Sequence, residues 1–329
     1  MATIGNETAP ETQPITGAER HLAKPRSLWG DAARTFLRSK AGMVGGIIIV
    51  IFFLVALFAP LLAPYGYLQQ NYAALMQPPS AHHLMGTDEL GRDILSRVMM
   101  SIRTAFLVAT LITIVSGVLG ILFGAVGALL GGWVDFVVTW LMDALLTIPG
   151  LWFAAFISVA TRPGIARLAA AIYAGMHWSV FRDTTLIDYL VVVSCLGIVS
   201  WPGIGRIVRG QVLSLREKEF LEAERALGAS NWWILRKHLL PNLLGAVIVA
   251  LSVNFGYSML FEASLSFLGI GIRPPGASLG QMIADGIGHY RSAPHLVAMP
   301  GLVLAVVVLA FNFVGDALND ALNPKARQR

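Results

Sequence analysis

The sequence predicts an all-α integral membrane protein with six transmembrane helices. Of its 329 residues, 56% are hydrophobic and 13% are charged, whereas soluble domains carry roughly 25% charged residues. The mean hydropathy is +0.67. Six apolar segments reach the roughly 20 residues that a helix needs to cross a bilayer. They lie near residues 42–64, 103–130, 135–160, 187–208, 242–268 and 296–318.

The distribution of basic residues predicts the orientation. Of the 24 Lys and Arg residues, six precede residue 41, seven lie at 206–237 and three follow residue 324. The other eight fall on the opposite side if the N-terminus is inside. Because cytoplasmic loops carry the excess of Lys and Arg, we expect both termini and the loop after the fourth span in the cytoplasm.

The segments around the spans give the domain organisation. Residues 1–26 are polar and are predicted to be a disordered cytoplasmic tail. An amphipathic interfacial helix and the first span follow at 27–65. Residues 66–102 are expected to form an external loop, and 103–321 a core of five helices. Residues 322–329 are a second cytoplasmic tail.

The segment 164–181 is apolar enough to be taken for a seventh span. A seventh crossing at this point would place the loop after residue 208 outside. Arg167 and His177 also make the segment a poor lipid-facing helix. We therefore expect an external interfacial or re-entrant helix within residues 161–188.

The second span carries a stripe of small residues. Glycines recur at spacings of three and four, which places them on one helix face and permits close helix contact. They are Gly117, Gly120, Gly124, Gly127 and Gly131. The stripe is expected to pack within this subunit, or alternatively against a partner permease.

An island of charge at 222–241, EAERALGASNWWILRKHLLP, separates two long apolar runs. A first helix is expected to stop at Gly228, since glycine leaves a helix easily through a left-handed turn. Ser230 or Asn231 then caps a second helix at 232–239, which Pro241 closes. The expected product is a helix–turn–helix elbow across the mouth of the bundle. Its aromatic and cationic side chains suit a headgroup interface or a groove on a partner protein.

This island resembles the EAA loop of ABC importer permeases. Glu-Ala begins the pattern, Gly follows the Glu by six residues, and Leu-Pro follows it by eighteen and nineteen. Glu224 stands where the family usually has a second Ala. The resemblance implies that 220–241 is a cytoplasmic coupling helix seated in a cleft of a partner ATPase. The implied ATPase-coupling residues are Glu222, Ala223, Glu224, Gly228, Ala229, Trp232, His238, Leu240 and Pro241.

A second signature, MGTDELGRDILSR at 85–97, resembles the GTDxxGRDxxSR string of the dipeptide/oligopeptide subgroup of these permeases, the DppC/OppC type. Stretches at 201–217, 261–283 and 310–324 resemble the same subgroup. Together they cover most of residues 28–325. The resemblance implies a six-helix type I, MetI-like ABC importer permease fold with an N-terminal amphipathic helix and a cytoplasmic EAA coupling helix.

Five charged residues are candidates for the translocation path or for contact with a receptor. Asp143 lies about 10 Å into the third span, where a bare carboxylate needs a wet cavity or a partner. It is either a path contact or a buried structural hydrogen bond. Glu262 lies near the outer end of the fifth span. In the external signature, Asp88 can cap the helix that follows, and Asp93 can pair with a residue four positions on, Arg97. The candidates are Asp143, Glu262, Asp88, Arg92 and Asp93.

The sequence shows no enzyme chemistry. It contains no GxxxxGK[ST], HExxH or GxSxG motif. His82 and His83 lack a carboxylate cluster, and the lone Cys195 excludes a disulfide framework. We expect no catalytic residue, no metal site and no cofactor bound by this chain. The resemblance places ATP and Mg on partner ATPase subunits.

The resemblance implies one half of the membrane pore of a peptide importer that works by alternating access. Its implied partners are a homologous second permease in a heterodimer, two cytoplasmic ATPases and an extracytoplasmic peptide-binding protein, in the inner membrane of a bacterium or archaeon. Membrane lipid is the other partner. Nucleic acid is not expected, because the basic residues follow topology and form no patch.

Nickel chelates or glutathione are alternative cargoes. A gradient-driven secondary transporter is a rival class, although no inverted repeat is evident.

Overall fold

The computed structural model describes residues 28–178, 181 and 183–322. The predicted tail at 1–26 lies outside these residues, and so does 322–329 apart from Leu322. The described residues contain eleven α-helices, a π-helical turn at Leu235–Leu239 and a 3₁₀ turn at Ile287–His289. The α-helices are α1 Leu28–Arg38, α2 Lys40–Leu62, α3 Ile94–Leu130, α4 Gly132–Thr147, α5 Gly150–Met176, α6 Thr184–Arg216, α7 Glu219–Ala226, α8 Asn231–Ile234, α9 Leu240–Phe267, α10 Leu279–Gly286 and α11 His295–Leu322.

Six helical segments are long and apolar enough to cross a membrane. They are α2, α3, α5, α6, the continuous helix Asn231–Phe267 and α11. The prediction of an all-α fold with six spans is therefore confirmed. The amphipathic helix expected before the first span is α1, which packs on α11 and α2.

The third crossing differs from the predicted continuous helix at 135–160. Ile148 adopts an extended conformation and Pro149 precedes α5, so the helix breaks between α4 and α5. Proline lacks the N–H of a helix interior, and its ring disfavours a helical conformation in the residue before it. The stretch is thus two helices joined by a bend. Of the two, only α5 is among the six candidate spans, so the third span covers 150–176 instead of the predicted 135–160.

The expectation of a separate helix at 164–181 is wrong, because residues 164–176 continue α5. The alanine-rich sequence after Arg167 propagates the helix readily. The Ser158 hydroxyl donates a hydrogen bond of 2.8 Å to the Ile270 carbonyl, just past the end of α9. Ser158 therefore lies level with the end of α9, and the rest of α5 continues beyond that level.

The centre of the bundle is the pairing of α3 with α6, where the glycine stripe lies. A Cβ atom added to Gly124 would lie 2.4 Å from the Gly205 carbonyl oxygen, and one added to Gly120 would lie 2.8 Å from Ile204. Only glycine allows this backbone approach. The expectation that the stripe packs within this subunit is confirmed at these two positions.

Candidate functional site

The elbow begins with α7, a short helix with acidic residues at its start and a basic residue at its end. Glu219 and Glu222 occupy its first turn and Arg225 its last, an order that favours the helix dipole. The helix ends at Ala226, and Leu227 is its C-cap residue. Gly228 then adopts a φ of +86°, the left-handed turn predicted for it.

The second arm of the elbow is longer than predicted. The Ser230 hydroxyl accepts a 3.3 Å hydrogen bond from the Trp233 N–H and caps α8. Pro241 does not close this arm, so that expectation is wrong. Instead the π-helical turn at Leu235–Leu239 leads directly into α9, with Leu240 N–H bonded to Leu235 carbonyl. Pro241 occupies the first turn of α9, where its missing N–H is tolerated.

The inner face of the elbow is anchored in the bundle. Leu221, Ile234 and Leu239 are at most 1% exposed. They belong to one apolar cluster with residues of α3 and α6, among them Ala128 and Val208. The inner face of the elbow and these two spans therefore share one close-packed interior.

The outer face of the elbow is apolar and exposed. Leu227 is 85% exposed, Trp232 is 67% exposed and Phe220 is 44% exposed. The Lys237 ammonium lies 5.0 Å from the centre of the Trp233 ring. Exposed apolar side chains beside an aromatic–cation pair suit either of the two surfaces predicted from the sequence, a groove on a partner protein or a headgroup interface.

The two arms meet through Glu224 and His238, which are 3.5 Å apart at Oε1 and Nε2. The His238 ring lies 5.0 Å from Trp233 and 5.9 Å from Phe220, between centroids. The other predicted coupling residues differ in exposure. Glu222, Ala223, Gly228 and Pro241 are exposed, while Ala229 and Leu240 are partly buried.

The external signature forms a network of ion pairs and hydrogen bonds within residues 83–97, here called the clasp. Two expectations about it are wrong. Arg97 pairs with Asp88 instead of Asp93. The residue that caps α3 is Asp93, which accepts a 2.8 Å hydrogen bond from the Ser96 N–H. The reason is that Gly91, at a φ of +69°, turns the chain so that Asp88 faces back toward α3.

Both carboxylates of the clasp are fully engaged. Asp88 also accepts a 2.7 Å hydrogen bond from Arg92 Nε, and Asp93 lies 2.9 Å from His83 Nδ1. Asp88, Arg92 and Asp93 are buried. The clasp therefore holds the segment before α3 in place, and the predicted receptor contact through these residues stays a prediction.

Asp143 has a partner that the sequence did not suggest. Arg206 of α6 donates a 2.6 Å hydrogen bond to its carboxylate. The two side chains are 58% and 59% exposed, so this is not the buried structural bond that was the alternative. A second pair, Asp135 with Arg209, joins α4 to α6 nearer the elbow. Asp143 lies in α4, which is not among the six candidate spans, and not inside the third span as predicted. The exposed pair is open to water, a wet cavity or another protein surface.

Glu262 lies inside the subunit and is only 1% exposed. Its carboxylate accepts hydrogen bonds from the hydroxyls of Ser266, at 2.8 Å, and Ser278, at 2.9 Å. The group joins the end of α9 to the start of α10. A path or receptor contact for Glu262 remains a prediction that this enclosed position does not favour.

Comparison with known families identifies the chain. The sequence model of the family described as "Binding-protein-dependent transport system inner membrane component" matches residues 116–328. The chain belongs to this permease family. A second model, "N-terminal TM domain of oligopeptide transport permease C", matches residues 27–79 of the permease.

Curated relatives of the permease align over nearly its whole length. The dipeptide transport system permease protein DppC of Alkalihalophilus pseudofirmus is 35% identical over 301 residues, covering 92% of this chain and 91% of the relative. The oligopeptide transport system permease protein OppC of Bacillus subtilis is 32% identical and covers 94% of each chain. The glutathione transport system permease protein GsiD of Pectobacterium atrosepticum is 31% identical, covering 92% of this chain and 93% of that one.

A solved structure of the MetNI methionine ABC transporter in an inward-facing conformation is also similar. Its matching chain is 20% identical with a TM-score of 0.48, and the match covers 66% of the permease and 94% of that chain.

Sequence reasoning missed one cluster, at the end of the bundle where α6 begins and α9 ends. Asp188 of α6 pairs with Arg162 of α5 and accepts a 2.9 Å hydrogen bond from the Arg273 N–H after α9. Arg162 also donates to the Gly271 carbonyl at 3.1 Å. Asp188 begins an apolar run, and a lone carboxylate in such a run is itself a signal for a buried partner.

Metal-binding geometry is absent from the described part of the permease: no group of three or more His, Cys, Asp or Glu side chains there could hold a metal ion.

Proposed function

We propose that this permease is one half of the pore of an ATP-driven peptide importer. A homologous second permease forms the other half, and an extracytoplasmic peptide-binding protein delivers the cargo. Two ATPase subunits hold ATP and Mg and bind the elbow at 220–241. The permease itself neither catalyses a reaction nor binds a cofactor.

The observation that carries this proposal is the two-sided construction of the elbow. Leu221, Ile234 and Leu239 are packed into the spans, while Leu227 and Trp232 are exposed. A partner that grips the exposed face in one nucleotide state and not in another would shift the spans between two arrangements, because a ligand shifts only an equilibrium whose states it contacts differently. The geometry suits a mechanical lever between an ATPase and the pore.

The orientation proposed is N-terminus and C-terminus inside. The elbow lies at the end of the bundle where α6 ends and α9 begins, and an odd number of crossings separates it from the external signature. The Lys and Arg count favours placing this end in the cytoplasm. An ATPase can reach the elbow only on that side.

The proposed cargo is a peptide. The relatives' names include dipeptide, oligopeptide and glutathione transport, and glutathione is itself a small peptide. Within the proposed path, the exposed pair Asp143–Arg206 offers one charge of each sign. These complement the ammonium and carboxylate ends of a peptide.

Co-purification of the complex tests the lever directly. The double change Leu227→Asp and Trp232→Asp should weaken ATPase association by roughly thirtyfold, the effect of losing about 2 kcal/mol at an interface hot spot. The second permease should still co-purify. Ile287→Asp is the matched control, since Ile287 is also exposed, at 53%, but lies after α10 on the opposite side.

Retention of ATPase at the wild-type level by the double variant would refute the proposal that the elbow links the ATPase to the pore. Uptake that follows a proton gradient, with no ATPase in the wild-type complex, would instead support a secondary transporter.

A further inference from the structure

A groove of about 580 Å³ opens on the surface of the bundle between α2 and α3. Its volume lies within the range of small-molecule sites, roughly 300–1,000 Å³. The floor is aromatic and well packed. Phe255 stacks on Phe311 at 4.5 Å between centroids, and Phe106 meets Phe255 edge-on at 5.6 Å. Phe53 and Leu57 of α2 form an exposed rim.

The lining contains one polar group without a partner among the residues that the structure describes. Thr110 and Arg103 are the polar residues of the groove. The Thr110 hydroxyl is satisfied, because it donates a 2.7 Å hydrogen bond to the Phe106 carbonyl. Arg103 is exposed and has neither an ion pair nor a hydrogen bond to any residue in 28–178, 181 or 183–322. Its guanidinium has five N–H donors to offer a ligand.

The two ends of the groove differ in charge. Leu57 and Arg103 lie toward the ends of α2 and α3 that join the segment 63–93, whereas Ile49 and Leu111 lie farther into the bundle. Arg103 and Leu111 are separated by about 12 Å along the helix axis. The groove is therefore cationic at its outer end and apolar along the rest of its length.

We propose that this groove binds a phospholipid of the outer leaflet. One acyl chain lies on the floor formed by Phe106, Phe255 and Phe311, and the Arg103 guanidinium donates hydrogen bonds to the phosphate. A planar guanidinium matches phosphate oxygens in geometry as well as charge. A peptide chain fits poorly, because the apolar walls leave its backbone N–H and carbonyl groups unpaired. The assignment to the outer leaflet rests on the orientation given under the proposed function.

Lipid binding to the purified transporter complex tests the proposal. The complex is delipidated in detergent and titrated with palmitoyl-oleoyl-phosphatidylglycerol, and bound lipid is counted by native mass spectrometry. Arg103→Gln should weaken the tightest binding step roughly tenfold, as expected for the loss of a charged hydrogen bond. Leu107→Trp, which fills the groove and keeps the cation, should also weaken it.

Arg291→Gln is the matched control. Arg291 is an exposed outer arginine that contacts Tyr290 and does not line the groove, so its loss should leave binding unchanged. Equal lipid binding by the wild type, Arg103→Gln and Leu107→Trp would overturn the proposal. So would oxidative disulfide cross-linking, in native membranes, of Leu57→Cys to a cysteine introduced into a span of the second permease, because a protein helix would then occupy the groove. The assay requires no uptake, so failure here is distinguishable from failure of the peptide-import proposal.

Discussion

Glu224 and His238 join the two arms of the elbow, with 3.5 Å between Oε1 and Nε2. Glu224 occupies the position at which this chain departs from the Ala of the EAA pattern. The departure therefore has a structural counterpart within the same loop. The contact is an ion-pair distance and not a hydrogen bond, since His238 Nε2 has no hydrogen-bond partner among the described residues. It gives a weak electrostatic link between α7, which leads to the exposed Leu227, and the π-helical turn.

Glu224→Ala should weaken the coupling without dissociating the complex. Both side chains are partly exposed, so the contact is worth only about 0–1 kcal/mol, and ATPase association should weaken by no more than about fivefold. The measurement is the ATPase retained on purification, together with cargo moved per ATP hydrolysed. Glu219→Ala, an exposed change in the same helix, should match the wild type. Identical behaviour of the two variants would remove the role given to Glu224.

Gly124→Ala should destabilise the bundle. The new methyl would lie 2.4 Å from the Gly205 carbonyl oxygen, so α3 and α6 would have to separate. Overpacking of this kind costs about 1–3 kcal/mol. Thermal unfolding of the detergent-solubilised complex should show a lower midpoint. Gly203→Ala in α6 is the control, because a Cβ atom there meets nothing within 4 Å. Equal midpoints for the two variants would contradict the close approach of α3 and α6.

Asp188→Asn should loosen the end of the bundle where α6 begins and α9 ends. The buried carboxylate holds Arg162 and the backbone of Arg273, and removing one member of a buried ion pair costs about 3–5 kcal/mol. Hydrogen exchange should increase after α9 and at the start of α6. Asp183→Asn provides the control, since Asp183 caps α6 on its exposed side and asparagine caps a helix equally well. Unchanged exchange in Asp188→Asn would show that the cluster does not hold these ends together.

Asp143→Asn should leave assembly intact and reduce uptake. An exposed ion pair contributes about 0–1 kcal/mol to stability. A charged contact with the cargo is worth more, so uptake by reconstituted complex should fall roughly tenfold. Arg206→Gln should give the same result. Asp316→Asn changes an exposed carboxylate on α11 and should have no effect. Normal uptake in both Asp143→Asn and Arg206→Gln would exclude a path role for the pair.

The sequence by itself determined the number of spans and the position of five of them, the glycine stripe and the turn at Gly228. Hydropathy, small-residue spacing and left-handed turns are local properties, which neighbouring residues fix without reference to the rest of the chain. The resemblance in the EAA and GRD stretches likewise sufficed to indicate the permease family, which the comparisons confirmed.

Tertiary structure decided the pairings. Asp143 meets Arg206 across 63 positions, and Asp188 meets Arg273 across 85. Arg97 takes Asp88 because the turn at Gly91 brings that carboxylate back, although Asp93 has the better helical spacing. Tertiary packing also determines that the helix continues through Pro241 and that α5 extends to Met176. Ion pairs in a membrane bundle are set by which helices pack together and at what level, and no local pattern in the chain encodes those two quantities.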